Sequence, residues 1–476
     1  MNGQKSIIAA LVTVMAFALC GCENVIVDTA LSLLNTEPEV QATAELSSAE
    51  STVSEPDIGT IGFDEGEKHS LLPEDEAGEA EVSQEVLVNL SGYESTGEKI
   101  AVFRGEVPDE KFEIVDVQTE KTVFSGYIVE TKHNNKNGET NARGDFSTLT
   151  EPGTYYIRTK HHGSSAPFTI EKGFYQRILE ERKQYFSEHI TGISDGTEFN
   201  RSIMQTVDWL LTYEYFMKTG QESGTPELLT LAKEQIEALR ACQDVKAGSI
   251  TSGNPVTQAQ AYRYAALLSM FADIYGEYDT DYAQKCRESA VYAWEYAGKQ
   301  DRQTEAEDEH YWAAAQLYKL TGEAAYLTVV KSAVNGGPPT GFSEEETGYL
   351  GSLAYLTTSY KTELKLSNRI MKALFDDAIA IVNESEKDGY LAAVGDAYNE
   401  ESVQRAFSNA RLLTLANVIS KSVDYVNTAG WHLEYLYGRN PFMENYAGDK
   451  ESAYYDEPEA FVLSGMIHSY ILDGDS

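Results

Sequence analysis

The sequence predicts a multidomain fold in which a small all-β antiparallel sandwich is followed by a ring of helical hairpins. Three observations carry this expectation. Between residues 86 and 171, short alternating apolar runs are separated by turn residues at regular intervals, the signature of half-buried strands. From Phe174 to the end, apolar residues recur instead at three- and four-residue steps. About a dozen such helical segments follow one another across short turns, so consecutive helices must lie antiparallel. Six such pairs fit a closed barrel. An open solenoid of helical repeats is the alternative, and the lack of a repeat period between hairpins weighs against it.

Bulk properties narrow the function. The chain has 476 residues, 42% of them hydrophobic, enough for two or three domains with a large core. Thirty-seven Lys and Arg against 76 Asp and Glu leave a net charge of −39. Such a surface repels nucleic acid and anionic lipid, and leaves a neutral substrate open. No cofactor is expected, and no cysteine or histidine spacing suggests a metal site.

In chain order, Lys5 precedes an apolar run, Ile7 to Leu19, too short and wrongly flanked for a spanning helix. It ends in Leu19-Cys20-Gly21-Cys22, which resembles a bacterial lipobox. Residues 1–22 are thus expected to be a lipoprotein signal peptide. Cys22 would be the lipidated first residue, anchoring a secreted protein at the cell surface. Residues 23–85 are rich in Ser, Thr, Glu and Ala, with little apolar material to offset ordering entropy, and are expected to form an acidic disordered linker. The remaining thiols, Cys242 and Cys286, fall in separate helical segments and are expected to be buried and unbridged.

Strands are expected at 86–90, 99–103, 112–117, 122–129, 154–158 and 167–170, within a domain spanning 86–172. His161 and His162 fall in one of its loops and are expected to be exposed. Helices are expected at 174–188, 201–218, 226–242, 257–275, 280–297, 308–320, 323–333, 346–360, 364–383, 402–419, 423–437 and 459–472, within 173–476. The segment from Asp308 to Gly322 is typical of them. Asp308 and Glu309 favour the helix start electrostatically, Trp312 lies on a broad apolar face, and Gly322 provides a left-handed stop.

Several of these stretches also carry a resemblance. Asp308-Glu309 followed by Trp312-Ala313-Ala314-Ala315-Gln316-Leu317-Tyr318 and Thr321-Gly322 resembles a helix of glycoside hydrolase family 9, the cellulase family. Asn254-Pro255-Val256-Thr257, Ala293-Trp294-Glu295-Tyr296-Ala297 and Tyr435-Leu436-Tyr437-Gly438-Arg439-Asn440-Pro441 resemble further motifs of that family, in the family's order. Val88-Asn89-Leu90-Ser91-Gly92-Tyr93 and Glu151-Pro152-Gly153-Thr154-Tyr155-Tyr156 resemble the immunoglobulin-like module that precedes many of its catalytic domains. The resemblance implies an immunoglobulin-like sandwich buttressing an (α/α)6 barrel, with polysaccharide hydrolysis by inversion on β-linked glucan.

Inversion needs a carboxylic acid to protonate the leaving oxygen and a carboxylate to activate water, roughly 6.5–9.5 Å apart. By the family's pattern the base lies before the 201–218 helix and the acid before the last helix. Those positions point to Asp195, with Glu198 second, and to Glu459, with Glu457 second. Plain alternatives exist for the first choices: Asp195-Gly196 is also a turn and a helix cap, and Glu459 is a first-turn acid. Trp431, Tyr437 and Arg439 are the candidates for contact with sugar. The family's "HHR" sugar-site segment has no counterpart after Pro441. Loss of that segment keeps open a second function, a catalytically silent relative that binds polysaccharide or a protein partner through the same cleft.

Overall fold

The computed structural model describes residues 82–474, apart from 106–108, 191, 219–223, 302–305 and 344–345. The expected signal segment, Cys22 and nearly all of the expected linker lie outside the described residues.

Eight strands form the first part: β1 (Val86–Leu87), β2 (Tyr93–Glu94), β3 (Ile100–Arg104), β4 (Lys111–Asp116), β5 (Thr122–Asn134), β6 (Glu139–Asp145), β7 (Gly153–Arg158) and β8 (Phe168–Glu171). They are hydrogen-bonded in the order β1-β3-β6-β5-β4-β7-β8-β2, antiparallel except for β2 beside β8. The order folds over on itself. Phe103 of β3 and Phe112 of β4 are three places apart, yet their ring centroids lie 5.6 Å from each other. The fold occurs at β5, whose residues 122–127 pair with β4 and 128–134 with β6, with a bulge between Val129 and Lys132. Alternating residues such as Val86, Ala101, Phe112, Ile114, Tyr155, Ile157 and Phe168 fill the space between the layers.

The strand at 139–145 was not legible in the sequence. Its residues, Glu-Thr-Asn-Ala-Arg-Gly-Asp, show no apolar alternation. The reason is tertiary. Arg143 donates to the carbonyls of Glu386 and Asp388 at 3.0 and 2.9 Å, so part of this strand faces the helical domain. His161 is exposed as expected, but His162 departs from expectation. Both rings bond Asp109, at 2.7 and 3.1 Å, and His162 is buried.

Twelve α-helices follow among the described residues: α1 (Phe174–Glu188), α2 (Gly196–Thr212), α3 (Glu227–Arg240), α4 (Gln258–Tyr275), α5 (Thr280–Gly298), α6 (Glu307–Thr321), α7 (Ala324–Gly336), α8 (Gly348–Leu356), α9 (Leu364–Lys387), α10 (Glu400–Ile419), α11 (Val423–Leu436) and α12 (Ala460–Gly474). A π-helical turn, Tyr213–Met217, extends α2. The even-numbered helices form an inner ring and the odd-numbered ones pack outside it. α12 packs on both α1 and α2, which closes the ring and excludes the solenoid. Buried alanines 265, 266, 313, 314 and 315 let α4 and α6 approach closely, and Trp312 is core, as its position suggests. Gly351 serves the same end, since a Cβ there would lie 2.7 Å from the Tyr311 ring. A short three-stranded sheet, β9 (Gln243–Asp244), β10 (Ser249–Ser252) and β11 (Asn254–Pro255), precedes α4. Cys286 is buried as expected; Cys242 is only half-buried, and both are free thiols.

The two domains meet through polar contacts. The Leu90 N–H donates to the Tyr437 carbonyl at 2.8 Å, and Gly438, at φ 116°, turns the chain directly against Leu90. An added Cβ at Gly438 would lie 2.5 Å from Leu90 Cγ. Gly438→Ala is therefore expected to destabilise the protein by ~1–3 kcal/mol, read as a lowered thermal midpoint.

Candidate active site

The inner helices define where chemistry is expected. Both family positions, before α2 and before α12, lie at the N-terminal ends of inner helices, so the functional rim is that end of the ring. The structure places the candidate residues there in very different surroundings.

Asp195 is the N-cap of α2. Its carboxylate is exposed and accepts from the backbone N–H groups of Thr197 and Glu198, both at 2.9 Å. Glu198 turns back to accept from the Ser194 N–H and hydroxyl at 2.7 Å. The cap explains why α2 begins at Gly196, five residues before the expected start.

Glu459 is buried, with 2% of its surface exposed. Its carboxylate pairs with Arg182 Nε and accepts from the Tyr437 hydroxyl at 3.0 Å. Arg182 in turn donates to the Ala447 carbonyl and stacks its guanidinium 3.9 Å from the centroid of Tyr455. The void beside this cluster is about 30 Å³, room for a water or two and not for a sugar ring.

Asp195 and Glu459 do not form a pair. Asp208, three turns along α2, accepts from the Ala460 and Phe461 N–H groups at 2.6 and 3.3 Å, which puts it at Glu459's side. Asp195 lies 208 − 195 = 13 residues back along that helix, roughly 20 Å at ~1.5 Å per residue. That is about twice the separation an inverting pair uses. This corrects the expected pairing, and the reason is local: one residue is used as a cap and the other as a buried ion-pair partner.

Two of the three expected sugar contacts are also corrected. Tyr437 and Arg439 are fully buried. Arg439 pairs with Glu434 at 2.9 Å and donates to the carbonyls of Tyr390 and Trp431. Trp431 Nε1 donates to Glu98 Oε2 at 2.6 Å, at the seam with the β domain. Trp431 and the Tyr437 carbonyl join the domains, and no sugar chain reaches the two buried side chains. The charged pair at the start of α6 also has more to do than favour the helix. Glu309 is buried and paired with Arg263 at 2.8 Å. Asp308 is half-buried, and burial, with the nearby charges of Glu309 and Glu346, pushes its carboxyl up to about 6.

Glu457 is differently placed. It accepts from Gln404 Nε2 at 2.8 Å, and Arg411 lies 3.6 Å away. Gln404 is also part of the wall of a much larger cleft, about 840 Å³, at the same rim of the ring. The cleft exists because α8 is only nine residues long and packs at most sparsely on α10, unlike the other inner neighbours. Thr340, Gly341, Phe342, Ser343 and Glu346 form one wall, α9 contributes Asp377, Ile381 and Glu384, and α10 contributes Glu400, Glu401, Gln404 and Arg405. Tyr454 adds an aromatic edge. Sequence reading missed these residues. Glu400 and Glu401 follow the Asn399 cap and read as ordinary first-turn acids.

Asp208 gives this rim a pH signature. Burial pushes its carboxyl up to about 6, against the opposing pull of Arg411 and two N–H donors. Between about pH 4 and 6 the unfolded chain has lost this proton while the folded chain keeps it. Stability therefore falls as pH rises through that window, by on the order of 3 kcal/mol. Asp208→Asn is expected to remove this slope from thermal midpoints measured between pH 4 and 6.

A sandwich of this topology leads into a ring of six helical hairpins with an open acidic groove at its rim. Residues 171–461 match the glycosyl hydrolase family 9 model and residues 81–164 the cellulase N-terminal Ig-like domain. The chain belongs to glycoside hydrolase family 9. It is 26% identical over 212 residues to Endoglucanase D of Acetivibrio thermocellus, an alignment covering 40% of this chain and 34% of that protein. It thus spans about a third of that relative's length. A Butyrivibrio fibrisolvens cellodextrinase is 22% identical over 480 residues, covering 78% of this chain and 86% of the other. The crystal structure of a metagenome-derived family 9 endoglucanase superposes with a TM-score of 0.65 at 20% identity, covering 77% and 86% of the two chains. That likeness supports the fold.

Proposed function

We propose that this protein is a surface-anchored hydrolase of β-linked polysaccharide, acting with inversion on a chain laid in the 840 Å³ cleft. The observation that carries the reading is the cleft itself. It is large enough for several sugar units, lies in a family 9 barrel, and is lined by Glu346 and by carboxylates of α9 and α10. Glu457 is the candidate acid in place of Glu459. It stands before α12, where the family's acid is expected, and reaches the cleft wall through Gln404. Anchoring rests on the Leu19-Cys20-Gly21-Cys22 stretch and the acidic segment after it.

A second reading, binding without cleavage, is favoured by one observation: the carboxylates expected to act as acid and base are a buried ion-pair partner and a helix cap. Reducing-sugar release from soluble β-glucans, xylans and mannans separates the two. Release that follows an inverted anomeric product supports hydrolysis. Retention on polysaccharide affinity gels with no release from any substrate supports binding alone.

A further inference from the structure

Among the described residues, five carboxylates line the cleft, on Glu346, Asp377, Glu384, Glu400 and Glu401, against a single lining cation, Arg405. Asp377 accepts from the Tyr349 hydroxyl at 2.6 Å, and Glu384 lies 3.8 Å from Lys136. Glu346, Glu400 and Glu401 have no ion-pair partner among the described residues. Acid–base cleavage and hydroxyl recognition use two or three carboxylates. The surplus confronts a neutral glucan with charges that must shed water and gain no opposite charge in return. An anionic glycan is repelled by the same groups.

Resting on the polysaccharide reading above, we propose that the preferred substrate class is a cationic β-linked glycan, a polymer of free amino sugars such as β-1,4-linked glucosamine. The placement of the acids fits that polymer's geometry. Successive units of a β-1,4 chain turn over, so the substituent at C2 faces alternate walls. Here acids come from three lining segments: Glu346 before α8, Asp377 and Glu384 on α9, and Glu400 and Glu401 on α10. An ammonium at C2 meets a carboxylate whichever way its unit faces. Arg405 leaves the groove strongly negative overall.

The test compares binding of three probes of matched length to the full chain by titration calorimetry at mildly acidic pH: glucosamine, N-acetylglucosamine and glucose β-1,4 oligomers. The amino oligomer is expected to bind about tenfold tighter than either neutral one, with an advantage that shrinks as salt rises. Glu400→Gln/Glu401→Gln, two first-turn changes that keep the helix, is expected to abolish most of that advantage. Glu288→Gln/Glu295→Gln, an equal charge change on exposed α5 positions, is expected to leave it intact. Equal affinity for all three probes overturns the proposal while leaving the hydrolase reading standing, provided the glucose oligomer binds. Equal loss in both double variants also overturns it, because attraction would then come from the whole acidic surface. Failure of every probe to bind overturns both readings.

Discussion

Glu459→Ala is expected to destabilise the protein by about 3–5 kcal/mol, the cost of leaving a buried charge without its partner. Arg182 would lose its carboxylate while remaining buried between Tyr455 and the Ala447 carbonyl. The Tyr437 hydroxyl would lose its acceptor in a fully buried site. Chemical denaturation should show the loss as a lower midpoint with an unchanged slope. Glu459→Gln keeps the shape and removes the charge, so it should recover part of the stability. If Glu459→Ala instead folds as stably as the parent and only activity disappears, the ion pair is a minor feature and the residue is catalytic after all.

Glu457→Gln is expected to cost less stability than Glu459→Ala, since it keeps the shape beside Arg411 while removing the charge, and to lower reducing-sugar release by roughly 10²–10⁴-fold, the range for loss of a positioned general acid. The glutamine keeps a hydrogen-bonding partner for Gln404 and removes the proton donor. A drop in kcat with little change in KM is the expected pattern for a group whose interaction is made only in the transition state. Unchanged release in this variant would remove Glu457 from the mechanism.

How much of this was visible beforehand differs by level. The helices were legible because each must turn one apolar face to the ring, and that demand writes a period into the sequence. Trp312 and its alanine neighbours are an example. Most strands were legible for the analogous reason. The strand at 139–145 was not, because Arg143 is spoken for by another domain. Site residues were the least legible. Whether Glu459 is an acid or an ion-pair partner depends on Arg182, 277 positions away in sequence. Whether Arg439 meets sugar depends on Glu434 and two carbonyls that bury it. The groove itself arises from a place where α8 and α10 fail to pack. A missing contact leaves no local pattern to read.

The β5–β6 hairpin sets one jaw of that groove. Near its tip Lys136 bonds Asp388 at 2.8 Å and Asn134 bonds Tyr398, and farther along β6 Arg143 holds the carbonyls of Glu386 and Asp388, at the end of α9 and in the loop that follows it. α9 is the helix that presents Asp377 and Glu384. The β domain is thereby a clamp on the groove's width as well as a support beneath the barrel. Exchanging it for a relative's module would be felt in which chains fit, even where the ring itself survived the graft.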